Sequence, residues 1–214
     1  GSDGVARFSY MAVTPEERRA FDAYIARLSA TRVSGLARSE QFAYWVNLYN
    51  ALTVRLILDH PGVTSIRDID ISPGLFADGP WGAALVTIEG HAVTLNDIEH
   101  RILRPIFRDP RIHYAVSCAS IGCPDLGVRA FTAQAYESML ERAARAYVNH
   151  SRGARITEGG LVVSSIYVWF GKDFGGEAGV LKHLRKYARD GLRKQLIGIS
   201  EIADHAYDWS LNAP

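Results

Sequence analysis

Apolar residues recur at three- and four-residue steps in four stretches of this chain and alternate singly in two others. Behind Thr14-Pro15-Glu16-Glu17, a capping box with proline at the first helical position, Phe21, Tyr24, Ile25 and Leu28 form one stripe. Phe42, Trp45, Tyr49, Leu52 and Leu56 form a second, which predicts a longer helix capped by Ser39, ended by Pro61-Gly62 and buried at the centre of the fold. Phe131-Thr132 reads as staple and cap for a third long helix with Tyr136, Leu140, Ala143 and Tyr147 on its buried side. Val180, Leu181, Leu184 and Tyr187 mark a fourth after the turn at Gly175-Gly176.

The alternating stretches predict β-structure. Leu85 to Leu95 folds as a hairpin around Glu89-Gly90, and Ile112, Tyr114 and Val116 alternate as a strand leading to Cys118. A second hairpin turns through Glu158-Gly159-Gly160, its outgoing arm running from Leu161 to Ser165. Asn96-Asp97-Ile98-Glu99 starts a short helix that Pro105 halts, and residues 72–82, rich in Gly, Pro and Asp, read as an irregular surface loop. Asp173-Phe174 and the stretch Tyr207 to Asn212 read as docking and turn residues. Helices and hairpins mix without the regular rhythm of a parallel sheet, so the expected class is α+β, several helices on a small, mostly antiparallel sheet. No repeat, low-complexity tract or linker divides the chain, which predicts one domain over residues 3–214.

Composition narrows the partners. The 214 residues are 48% hydrophobic and 22% charged with a formal net charge of +1, enough for a core that needs no disulfide or metal. That balance gives no electrostatic case for nucleic acid or a membrane surface, and the most basic stretch, Lys182 to Lys194, reads as a solvated helix face. No apolar run reaches the roughly 18 residues of a membrane span. Gly1-Ser2 reads as a tag remnant, so an export signal and a periplasmic or secreted location are an expectation beside a cytoplasmic one.

The chemistry concentrates between Arg111 and Pro124, which hold both cysteines, Cys118 and Cys123, with His113 five residues before the first. A thiol becomes a nucleophile when its thiolate is stabilised, and histidine is a common partner. Cys118 is therefore the candidate nucleophile and His113 the candidate base, against the alternative of a small core hydrophobe. In a straight strand the two would lie about 16 Å apart at ~3.3 Å per residue. They meet only if the chain bends between Ala115 and Cys118, which the small residues Ala115, Ser117 and Ala119 allow. Glu99 has two readings: a carboxylate holding the imidazole, or a capping residue paired with Asn96. His100 is a second candidate base. The amides of Asn47 and Asn50, three apart on the second helix, either bond backbone in the core or donate to a substrate. His113, Cys118 and Cys123 offer soft metal ligands, but at spacings of five and five without a C-x-x-C, so no metal or cofactor is expected. A Cys118–Cys123 redox pair is the further alternative.

Several segments together resemble the domain-of-unknown-function 547 family: Phe42 to Ala51, Ile98 to Arg104, Arg111 to Cys118, and Tyr207 to Asn212. The resemblance implies a papain-like cysteine-proteinase fold with a Cys-His-Glu site, roles that fall here on Cys118, His113 and Glu99. Asn47, Asn50, His100, Arg104, Ser117 and Ala119 are taken as candidate substrate-binding residues. The enzyme reading is a thiol-dependent hydrolase or acyltransferase, peptidase-like or transglutaminase-like, acting on a peptide, isopeptide or other amide. A binding or scaffold module is the rival.

Overall fold

The computed structural model describes residues 1–74 and 78–214, so part of the expected 72–82 loop lies outside the described residues. Helix α1, Pro15–Ala30, carries the expected box: Thr14 Oγ1 accepts from the Glu17 amide at 3.2 Å and the Glu17 carboxylate takes the Thr14 amide at 2.8 Å. Helix α2, Arg38–Asp59, is the buried central helix. Its cap is not Ser39, which lies inside the first turn. The helix starts at Ala37, whose amide is taken by Glu40 at 2.9 Å, so half a capping box does the work without a capping hydroxyl.

The first hairpin pairs β1, Val86–Ile88, with β2, His91–Val93. A π-helix, Asp97–Leu103, follows and runs on as α3, Arg104–Phe107. Pro105 therefore does not halt this segment. It sits in the first turn of α3, where a missing N–H costs little, and the chain turns only at Arg108 with φ +54°.

Residues 110–114 correct a second expectation. Ile112, Tyr114 and Val116 alternate in sequence, yet Pro110–Tyr114 is a 3-10 turn whose start Asp109 caps by accepting the Arg111 amide at 2.8 Å. The alternation arises because the turn stands between two apolar clusters. Ile112 belongs to the first apolar cluster, which includes α2, and Tyr114 to the second, with His113 between them in the chain.

Helix α4, Tyr136–Val148, begins one turn later than Phe131-Thr132 predicts. Phe131 is held outside the helix because Asn47 takes its amide at 2.8 Å and donates to its carbonyl at 2.9 Å. The second hairpin pairs β3, Ala154–Thr157, with β4, Gly160–Ser164. Short helices α5, Ile166–Trp169, and α6, Gly171–Phe174, lead to α7, Gly176–Tyr187, and α8, Asp190–Gln195. Strand β5, Asp204–Ala206, then adds to β4 in parallel. The class is α+β, with two small sheets among the described residues, β1-β2 and β3-β4-β5, in place of one.

Beyond β5 the chain returns along residues 119–122. Gly122 donates to Asp208 O and Ile121 to Ser210 O, both at 2.8 Å, Asn212 donates to Ala119 O at 2.9 Å, and Ser120 bridges Leu211. The approach needs glycine: a Cβ on Gly122 would meet Asp208 N at 2.8 Å. This return carries Tyr207 to Cys118.

Candidate functional site: a thiol and an imidazole facing one aromatic cleft

A cavity of about 310 Å³ lies between the two clusters, and Glu99, His100, His113, Cys118 and Cys123 all line it. Five of the residues marked by sequence therefore share one space. They are not joined in a single relay: among the described residues, the Cys118 thiol makes its hydrogen bonds to hydroxyls and none to His113.

At the thiol end, Cys118 follows three residues of irregular backbone and precedes Ala119, which sits at φ +57°. An alanine there stores roughly 1–2 kcal/mol of strain, held in place by the Asn212-to-Ala119 bond and by Asn50. Asn50 donates to Ala115 O and accepts from the Ser117 amide, both at 2.8 Å, thereby making the bend that sequence demanded. Cys118 Sγ lies 2.9 Å from the Tyr207 hydroxyl and 3.2 Å from Ser120 Oγ, and those hydroxyls are 2.9 Å apart. The Cys118 amide donates to Cys123 Sγ at 3.1 Å, and both thiols are free. The neighbouring Cys123 and the two hydroxyls outweigh burial and bring the Cys118 thiol down to about 7. Burial pushes Cys123 and the Tyr207 phenol well above their ordinary ranges, so both keep their protons.

At the imidazole end, His113 Nε2 lies 2.8 Å from Asp173 Oδ2. The hydrogen bond from His113 is the main reason that the Asp173 carboxyl stands well below the usual carboxylate range, with Arg104 adding to it. An ionised carboxylate only accepts, so Nε2 carries the hydrogen. Arg104 holds Asp173 with two donors at 2.6 and 3.1 Å, and Phe170 stacks on the imidazole at 4.2 Å and 16°. The other nitrogen, Nδ1, is 3.7 Å from Glu99 Oε1, and Tyr49 donates to Glu99 Oε2 at 3.2 Å. Glu99 is no cap. Thr94 and Asp97 form that box, with the Asp97 amide on Thr94 Oγ1 at 2.9 Å, which leaves Glu99 in the cleft wall at 8% exposure. His100 accepts from Arg104 at 3.0 Å, and burial lowers its pKa.

Of the candidate substrate-binding residues, only His100 lines the cleft. Asn47 and Asn50 clamp backbone, the first of the two alternatives that sequence offers, with oxygen and nitrogen of both amides engaged. Arg104 is engaged by Asp173, the Ser117 amide by Asn50, and Ala119 is buried in the core. Two residues read as docking groups are part of the site instead: Asp173 and Tyr207 are brought there by contacts 60 and 89 residues apart in sequence. No group of three or more metal-ligating side chains occurs among the described residues, and no helix is long and apolar enough to cross a membrane.

Fold and cleft thus define an α+β protein in which a lowered thiol and a carboxylate-held imidazole line one cavity. The chain belongs to the family described as "Protein of unknown function, DUF547", whose model matches residues 33–148 and so contains Glu99, His113, Cys118 and Cys123. None of the curated proteins and none of the solved structures matches it.

Proposed function

We propose that this protein is a thiol-dependent hydrolase or acyltransferase in which Cys118 attacks an acyl carbon of a peptide, isopeptide or other amide. The observation that carries this reading is the lowered Cys118 thiol opening on the same cleft as an imidazole oriented by Asp173. A thiol ionising near 7 is about half thiolate at pH 7 without a base beside it. His113 then serves the leaving group as an imidazolium: thiolate adds to the carbonyl carbon, the C–N bond breaks, and the Nδ1 proton goes to the departing amine, which leaves a neutral ring with its hydrogen on Nε2. Water or an amine takes the acyl group from the thioester and restores the thiol. Tyr207 and Ser120, beside Sγ, are positioned to donate to charge on sulfur in each half. A papain-like arrangement of these groups is part of this proposal.

The test is acylation with p-nitrophenyl acetate. A burst of nitrophenolate stoichiometric with protein, and an acetyl group mapped to the Cys118 peptide by mass spectrometry, are expected. No burst, or acetylation confined to other residues, would overturn the reading.

A further inference from the structure

We infer that the cleft selects a substrate bearing an amine cation next to the group that reacts with Cys118. This rests on Cys118 being the reacting group, and it adds the chemistry of what enters. Three of the chain's four tryptophans, Trp81, Trp169 and Trp209, line this one cavity together with Phe170 and Tyr207. The indoles of Trp169 and Trp209 stack at 5.6 Å and 26°, Trp81 meets Trp209 edge-on at 5.8 Å, and Trp169 is 46% exposed at the mouth. Such faces carry negative quadrupole charge and attract cations. The chain's own guanidiniums already use two rings of this wall: Arg67 lies 5.4 Å over Trp209, and Arg104 lies 4.8 Å over Phe170.

The charges point the same way. Asp78 and Glu99 line the cavity, and no Lys or Arg does among the described residues. The two guanidiniums nearby are each cancelled by a carboxylate, Arg67 by Asp78 at 2.6 Å and Arg104 by Asp173 at 2.6 Å. Glu99 has no Lys or Arg partner among the described residues, only the Tyr49 hydroxyl and the edge of His113. A formal net charge of +1 means the molecule as a whole offers a cation no attraction, so any preference must come from this lining. An anionic substrate would meet carboxylates and ring faces with no lysine or arginine among the described wall residues to receive it.

Three methanethiosulfonate reagents test this: the trimethylammonioethyl, sulfonatoethyl and methyl forms. In each, the thiolate attacks the sulfenyl sulfur, a disulfide forms and methanesulfinate leaves with the electron pair. The readout is the ratio of second-order rate constants, cationic over anionic, divided by the same ratio for 2-mercaptoethanol, with modification mapped to Cys118. Because each ratio is taken on one thiol, it is independent of how much thiolate is present. A normalised ratio of about five or more is expected, the size that one uncompensated carboxylate, Glu99, together with the ring faces produces in a partly aqueous cleft. Asp78→Asn, which leaves the Arg67 guanidinium uncancelled beside the wall, and Glu99→Gln, which removes the uncompensated charge, should each lower it severalfold, and Trp169→Ala should slow the cationic reagent while sparing the methyl reagent. A ratio near or below one, or a high ratio unmoved by both carboxylate changes, overturns the inference. A sluggish reaction with the neutral methyl reagent at pH 7 would instead count against the activated thiol, and the ratio could still be read at higher pH.

Discussion

The two ends of the cleft hold reactive groups by opposite means. Around Cys118 the partners are neutral: two hydroxyls at its sulfur and a second thiol that accepts from its backbone amide, gathered where the C-terminal return lies along residues 119–122. Around His113 they are charged: Asp173 clamped by Arg104, and Glu99 on the other side. Neutral donors lower a thiol pKa without placing a fixed cation beside it, whereas a salt-bridged carboxylate fixes an imidazole's orientation. In the proposed mechanism, ionisation of the nucleophile and delivery of the proton are therefore separable, and substitutions should divide accordingly.

The largest effect is expected at the charged end. Asp173→Asn leaves Arg104 without its carboxylate and His113 without its acceptor, so unfolding free energy at pH 7 should fall by about 1–3 kcal/mol in urea melts. The sign with pH follows from the direction of the shift. A carboxyl depressed in the folded state stabilises above its unfolded pKa of about 3.9 and loses that contribution as pH falls below it. The gap between parent and variant should thus narrow from pH 5 toward pH 2. A gap that stays constant would mean that the ion pair contributes nothing.

At the neutral end, Tyr207→Phe keeps the ring against Trp169 and Trp209 and removes one donor to sulfur. The midpoint of iodoacetamide alkylation should rise from about 7 toward 8, which at pH 7 slows the reaction roughly fivefold. His113→Ala should leave that profile within about twofold while abolishing turnover of acylated protein. If His113→Ala instead shifts the midpoint as far as Tyr207→Phe does, the two ends act as one thiolate-imidazolium pair and their separation fails.

The same contrast explains what sequence could disclose. The buried stripe of α2, the α1 box and both hairpins were legible because local periodicity and turn chemistry dictate them. Cys118, His113 and Glu99 were legible as candidates because they lie within one short stretch of chain. The strand predicted through Ile112 and Val116 was not legible correctly, because alternation there records two cores flanking a 3-10 turn and not a pleat. Asp173 and Tyr207 escaped because each is ordinary in its own neighbourhood and acquires a role only through the long return of the chain. The cap assigned to Asn96 and Glu99 failed by two residues, and that small slip hid the burial of Glu99.

Glu99 gives the smallest effect and the sharpest sign. A relay in which its charge supports an imidazolium, and through it the thiolate, requires Glu99→Gln to raise the alkylation midpoint of Cys118. The arrangement seen here requires the reverse. The carboxylate shares the cleft with the thiol, and its negative charge opposes a second one on sulfur. Glutamine keeps an oxygen to accept from Tyr49, so the wall should hold and thermal stability should change by no more than about 1 kcal/mol. The midpoint should then fall by a few tenths of a pH unit, the direction expected for losing a partly screened like charge several ångströms away. Tyr49→Phe supplies the control, because it removes the hydroxyl and leaves the charge, and it should move the midpoint slightly upward or not at all. An upward shift in Glu99→Gln would restore Glu99 to the thiolate relay and make the two ends of the cleft a single device.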